Sequence, residues 1–203
     1  MSRRQPYAPA IRAALRLFIG LVAAVMLPAG GSQAMLAEEP LTVSLRPSAV
    51  SAVVGDTVQV DVRVENAIDV VGAELLIRFD PRVLQVVDAD GNPANGVQIS
   101  APGTFWGGRT LLDCPACNQV DNAAGEITYA AALFESSVGV SGSGTLATIQ
   151  FHVRACGQSD LAFDPTRTQL PFGPAHQPSS AHLIDGRVSG FCRSYLPAVR
   201  NRH

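Results

Sequence analysis

The chain has 203 residues, of which 47% are hydrophobic, with 15 arginines, no lysine and 17 acids, for a formal net charge of −2. A net acidic charge, which grows once the arginine-bearing N-terminus is set aside, argues against a nucleic-acid-binding function. Its hydrophobic content is that of a folded domain. The N-terminus stands apart. Met1 to Arg16 carries Arg3, Arg4, Arg12 and Arg16 and no acid, followed by "LFIGLVAAVML" and "PAGGSQA". A basic region, a short apolar run and a small-x-small site at Ser32-Gln33-Ala34 read as a secretory signal peptide over residues 1–34, cleaved after Ala34, with an uncleaved anchor as the alternative. The apolar run is shorter than the ~20 residues of a membrane span, so no span is expected after cleavage. What remains has 11 arginines against 17 acids and is the size of one domain. The lack of lysine reads as codon bias, not chemistry.

Strand patterns then follow one another, and no amphipathic helix is evident. "LTVSL" (41–45) alternates, and Pro47 with "VGD" (54–56) makes a turn. "TVQVDVRVEN" (57–66) places Val58, Val60, Val62 and Val64 inward, with Gln59, Asp61, Arg63 and Glu65 outward. "GAELLIRF" (72–79) puts Ala73, Leu75, Ile77 and Phe79 on one face and Gly72, Glu74, Leu76 and Arg78 on the other. An Asp-Pro corner leads to "RVLQVV" (82–87), and "TFW" (104–106) opens a short strand. "EITYAAAL" (126–133) turns Ile127, Tyr129, Ala131 and Leu133 inward. "TLATIQFHVRA" (145–155), "DLAF" (160–163) and "HLIDGRVSG" (182–190) complete about nine runs. Short alternating strands with turns between them predict an all-β sandwich or jelly roll whose two sheets close on each other. Residues 88–103, 107–125 and 165–181 are the long loops. "FDPRVLQ" (79–85) echoes "FDPTRTQ" (163–169), too short a match to be a repeat.

The blocks "VGDTVQVDVRVEN", "VGAELLIRFDPRVLQVV", "GEITYAAALFESS", "GSGTLATIQFHV" and "IDGRVSG", in that order and spacing, resemble the cohesin family, the modules that bind dockerin domains in extracellular assemblies. The resemblance runs from about Leu41 to Gly190, so the domain is taken as 35–190, followed by a basic tail over 191–203. It implies a nine-stranded jelly-roll β-sandwich of two antiparallel-rich sheets, without catalytic activity, secreted or held at the bacterial cell surface. It also implies that the outer face of one sheet receives a calcium-loaded dockerin, the calcium belonging to the partner and no cofactor or metal to this chain. Carried onto this sequence, the partner-binding positions are Gly72, Glu74, Leu76, Thr128, Ala130 and Ala132, with Glu135 just beyond the strand and Arg78 as a rim charge. Leu76 is expected to be the centre of the buried contact, so that Leu76→Arg abolishes capture without unfolding the domain. A link to polysaccharide degradation or surface assembly follows from the same resemblance.

The residues themselves support a flat, weakly apolar face of small side chains flanked by charges, which lets a partner helix approach closely. An ordinary solvated sheet face is the alternative. The loop "GGRTLLDCPACNQVDN" (107–122) departs from the family and lies near that face. Four cysteines, Cys114, Cys117, Cys156 and Cys192, form disulfides in an oxidising compartment. Of the three pairings, Cys114 with Cys117 and Cys156 with Cys192 is preferred. One Cys-x-x-Cys supplies only two zinc ligands, and no helix follows to activate a redox thiol. "DADGN" (88–92) opens like a calcium loop, but the twelfth position is Ile99, not an acid, so it reads as a turn. Neither the histidines nor any serine stands in a catalytic arrangement. A carbohydrate-binding module is the rival function, with polysaccharide as partner and Trp106 as the candidate sugar-stacking residue.

Overall fold

The computed structural model describes residues 39–134, 138–173 and 175–193. The signal-peptide expectation, Glu135 and most of the basic tail lie outside the described residues. The unit from Glu38 onward is an all-β sandwich of two sheets. Its strands are β1 (Thr42–Arg46), β2 (Ala49–Val53), β3 (Thr57–Val70), β4 (Gly72–Arg78), β5 (Leu84–Val86) and β6 (Asn118–Asp121). They continue as β7 (Glu126–Ala132), β8 (Val140–Val153), β9 (Gly157–Phe163), β10 (His182–Ile184) and β11 (Gly186–Phe191). One sheet has the order β10-β1-β3-β8-β5 and the other β2-β11-β9-β4-β7-β6.

The valine alternation of β3 has the expected outcome. Val60, Val62 and Val64 are fully buried, as are Ala147, Ile149, Phe151 and Val153 opposite them on β8 or nearby on the same face. The second sheet contributes Ala73, Leu75 and Ile77 from β4, Ile127 and Tyr129 from β7, and Leu161, Phe163 and Val188 from β9 and β11. Period-two alternation sorts these side chains inward because successive residues of a strand face opposite sides. β3 outruns its expected end at Asn66. Its pairing with β8 continues through register shifts to Val70, with Asn66 and Asp69 at φ 57° and 52°. Asn and Asp tolerate this left-handed conformation better than other side chains, and bulges of this kind absorb the extra residues.

One strand, β2, was not expected, and one expected run is divided between the sheets. After β1, the chain turns at Pro47, which has no N–H to donate, and continues as β2 in the opposite sheet. The run 182–190 breaks at Asp185 into β10 and β11, and the Asp185 carboxylate accepts the Phe163 N–H at 2.9 Å. The first and last strands therefore pair in parallel twice, β1 with β10 and β2 with β11. "TFW" is not a strand: Thr104–Trp106 is a single 3-10 turn. It plugs into the sandwich where Gly144 leaves room, since a Cβ there would stand 2.7 Å from the Phe105 Cα. The Asp-Pro echo marks two similar corners, in which Asp80 and Asp164 accept the N–H two residues on, at 2.9 and 3.0 Å.

Both disulfides pair as preferred, Cys114 with Cys117 and Cys156 with Cys192, each with Cα atoms 5.3 Å apart. The second joins the β8–β9 connection to the end of β11 across a separation of 36 residues. A loop of that length restricts the unfolded chain far more than one of three residues. Replacing Cys156 and Cys192 by serine is expected to cost about 3 kcal/mol, against roughly 2 kcal/mol or less for Cys114 and Cys117. For a domain of this size that is a fall in Tm of roughly 6–12 °C. Thermal unfolding of the two double variants checks the order; equal melting would show that β11 is held by its sheet alone.

Candidate functional site

The positions expected to bind a partner meet on the outer face of the second sheet. β4 and β7 pair antiparallel, with Gly72 opposite Ala132, Glu74 opposite Ala130, Leu76 opposite Thr128 and Arg78 opposite Glu126. β6 extends the rows, bringing Gln119 beside Thr128 and Asp121 beside Glu126. Alternation turns all of these away from the core residues Ala73, Leu75, Ile77, Ile127 and Tyr129. Thr128, Ala130 and Ala132 are half-buried, as expected for short side chains on an open sheet.

Charges flank this strip at one end. The Arg78 guanidinium pairs with the Glu126 carboxylate and reaches Asp164 at 3.4 Å. Asp164 is held below the usual carboxylate range, first by the Thr166 hydroxyl, 2.6 Å away, then by the Thr166 N–H and Arg78. Asp121 is also lowered, by the Ala124 and Ala123 N–H groups. Both depressed carboxylates stay ionised at neutral pH and into mild acid, so the rim keeps its charge there. At the centre, Gln169 Nε2 donates to Glu74 Oε2 at 2.9 Å.

Leu76 departs from expectation. It is only 1% exposed and is not part of the hydrophobic core cluster. The chain beyond β9 runs back along β4 at this point. Asp164 N–H donates to Leu76 O at 2.9 Å, Leu76 N–H donates to Thr168 Oγ1 at 3.3 Å, and Gln169 and Glu74 exchange both backbone bonds. Residues 165–167 bulge out between those contacts, and Thr168 is itself buried. Alternation assigns a side chain to a face but does not show which other segment lies against it, so Leu76 was expected in the open. Gly72 is likewise buried, with a Cβ there standing 3.0 Å from Ala131 O. It permits close strand packing and offers no contact surface.

Trp106 also departs from expectation. It is 2% exposed, lies in the core cluster and meets Phe105 edge-on at 5.1 Å between ring centroids. An indole so enclosed cannot stack on a sugar, so Trp106 is a core residue and not the expected sugar-stacking one. Tyr129, 3% exposed beside it, has its phenol pushed up chiefly by burial. Among the described residues no group of three or more His, Cys, Asp or Glu side chains is placed to hold a metal. No described helix is long and apolar enough to cross a membrane.

The sequence alone did not disclose β6 within the loop 107–125. Two asparagines position it. Asn118 bonds both backbone groups of Ile99, at 3.0 and 2.8 Å, and Asn122 does the same for Val86, at 2.8 and 3.0 Å. Each amide stands in for a ladder pair and closes the side of the sandwich, which keeps β6 at the margin of the candidate face. Asparagine is common in turns, so neither residue carried a signal of this role.

The model of the cohesin domain family matches residues 43–173. The comparison with curated proteins gives no match. Among solved structures, the fold is similar to a non-cellulosomal cohesin of the archaeon Archaeoglobus fulgidus, with 21% identity, 75% of this chain and 92% of the other covered, and a TM-score of 0.55. It is also similar to a type II cohesin domain from the cellulosome of Acetivibrio cellulolyticus, with 18% identity, 74% and 95% covered, and a TM-score of 0.59. A third is a type I cohesin–dockerin complex from Clostridium thermocellum, with 15% identity, 76% and 95% covered, and a TM-score of 0.56.

Proposed function

Because the chain belongs to the cohesin domain family, we propose that it is a non-catalytic interaction module that captures a dockerin-bearing protein outside the cytoplasm. The family match over residues 43–173 carries this proposal. The cohesin–dockerin complexes among its structural relatives support it. The face formed by β4, β7 and β6 is the surface assigned to the partner, with Thr128, Ala130 and Ala132 as the flat centre and Glu74, Arg78 and Glu126 as its charges. Glu135 belongs to the same assignment from the sequence. Short side chains allow a helix to lie close, and the surrounding charges orient it and raise its association rate. Calcium enters on the dockerin. The signal-like N-terminus and two disulfides support export, and attachment to polysaccharide-degrading or surface assemblies is the proposed setting.

The test is to immobilise residues 35–203 and pass over them the host's secreted proteins, first with calcium and then with a chelator, identifying by mass spectrometry what the chelator releases. Chains with duplicated calcium-loop segments are expected; their absence, with the domain shown folded, overturns the proposal. On a captured dockerin, Ala130→Arg is expected to weaken binding by at least about 100-fold, because a long charged side chain would stand in the centre of the close contact. Its Tm should stay within about 2 °C of the wild type, since the position is half-open. Unchanged affinity would place the interface elsewhere.

A further inference from the structure

The edge of β7 is incompletely paired beside the proposed interface. β6 covers Glu126 to Tyr129, and pairing resumes at Leu111 and Leu133, with Leu112 N–H donating to Ala132 O at 2.8 Å. In between, the neighbouring chain leaves the sheet as a 3-10 turn, Pro115–Cys117, closed by the Cys114–Cys117 disulfide. The cleft left under this turn has a volume of about 390 Å³. Its floor includes Ala130 and Ala131, and Leu111, Leu112, Pro115 and Asp113 are among its walls.

Strand parity shows what the floor offers. The Glu74 backbone bonds point toward Gln169, away from β7, so Glu74 and Ala130 face each other as a non-hydrogen-bonded pair. The Ala130 carbonyl is therefore directed away from β4, toward the cleft. The donor that would continue the ladder to it, Cys117 N–H, turns back to Cys114 O at 2.9 Å, and none of the backbone donors from Asp113 to Cys117 reaches it. A backbone acceptor in that position calls for a donor from outside the sheet. Asp113 adds an exposed carboxylate at the wall, and Leu112, 55% exposed, adds apolar surface at the rim. The Arg109 guanidinium, also at the cleft, donates to Val138 O at 3.0 Å.

We propose that this cleft is a socket for one lysine or arginine side chain of the docked protein, its stem along Leu112 and Pro115 and its head between the Asp113 carboxylate and the Ala130 carbonyl. The inference rests on the interface assigned above, with which the cleft shares Ala130. A long cationic side chain suits the site because its methylenes cover apolar wall while its charged end meets acceptors. The disulfide holds the turn before the partner arrives, which lowers the ordering cost of binding.

The experiment is a double-mutant cycle by titration calorimetry, in calcium, using a dockerin module recovered by the wild-type domain. Asp113→Asn is expected to weaken binding about tenfold, as for loss of one charge-assisted hydrogen bond. One Lys→Met or Arg→Met change on the dockerin should cause the same loss, with little further loss when the two are combined. Asp113 is exposed, so the variant is expected to fold as the wild type does. If Ala130→Arg abolishes binding while Asp113→Asn leaves it unchanged, or if no basic residue of the dockerin couples to Asp113, the socket is overturned and the interface stands. If the wild-type domain holds no dockerin at all, both fall.

Discussion

Leu76→Arg is expected to leave the domain largely unfolded at room temperature. The side chain is 1% exposed, on a strand along whose edge residues 164–169 return. Removing it loses the burial of a leucine, about 2–5 kcal/mol by comparison with leucine-to-alanine changes. Introducing an unpaired guanidinium there costs several kcal/mol more. Together these approach the ~5–15 kcal/mol that stabilises a typical domain. Leu76→Ala separates folding from binding: it should lower Tm by roughly 6–15 °C and, below its transition, retain dockerin affinity within about threefold of wild type. Thermal unfolding and calorimetry on the same samples decide it. A Leu76→Arg protein with the wild-type melting temperature would mean that the side chain reaches solvent after all, as its place in the strand pattern suggested.

Trp106→Ala is expected to destabilise the domain by about 3–5 kcal/mol, the usual cost of emptying a buried aromatic site. The ring fills the space between the 3-10 turn Thr104–Trp106 and the core, with Phe105 edge-on and Tyr129 close by. Its being the only tryptophan in the chain gives a second measurement on the intact protein. Its emission should be shifted to the blue and resist an aqueous quencher until the domain melts. A ring that binds sugar would behave oppositely, being open to quencher and dispensable for the fold.

Much of the architecture was legible in the residues because a sheet buried on one side imposes a period of two. Val60, Val62 and Val64 on β3, and Leu75 and Ile77 on β4, occupy the side that alternation assigned to them. The same rule put Glu74, Thr128, Ala130 and Ala132 on the opposite side, and the β4–β7 register sets them directly beside one another. Alternation failed where the chain left regular geometry. "TFW" has the composition of a strand but is a 3-10 turn, seated by the space at Gly144. β6 shows almost no apolar pattern, because it is fixed through the amides of Asn118 and Asn122. The run 182–190 looked continuous, yet its halves serve different sheets.

The sequence by itself determined the all-β class, the two faces of β3, β4 and β7, and the blocks that resemble cohesins. All of these depend on residues close along the chain or on a single repeating period. Only the tertiary structure decided that Leu76 is buried where a segment some 90 residues later bonds to its backbone, that Trp106 belongs to the core, and that a cleft opens beside Ala130 under the disulfide turn. These depend on which distant segments come to rest against one another. That is set by the closure of the whole sandwich, and no local pattern records it.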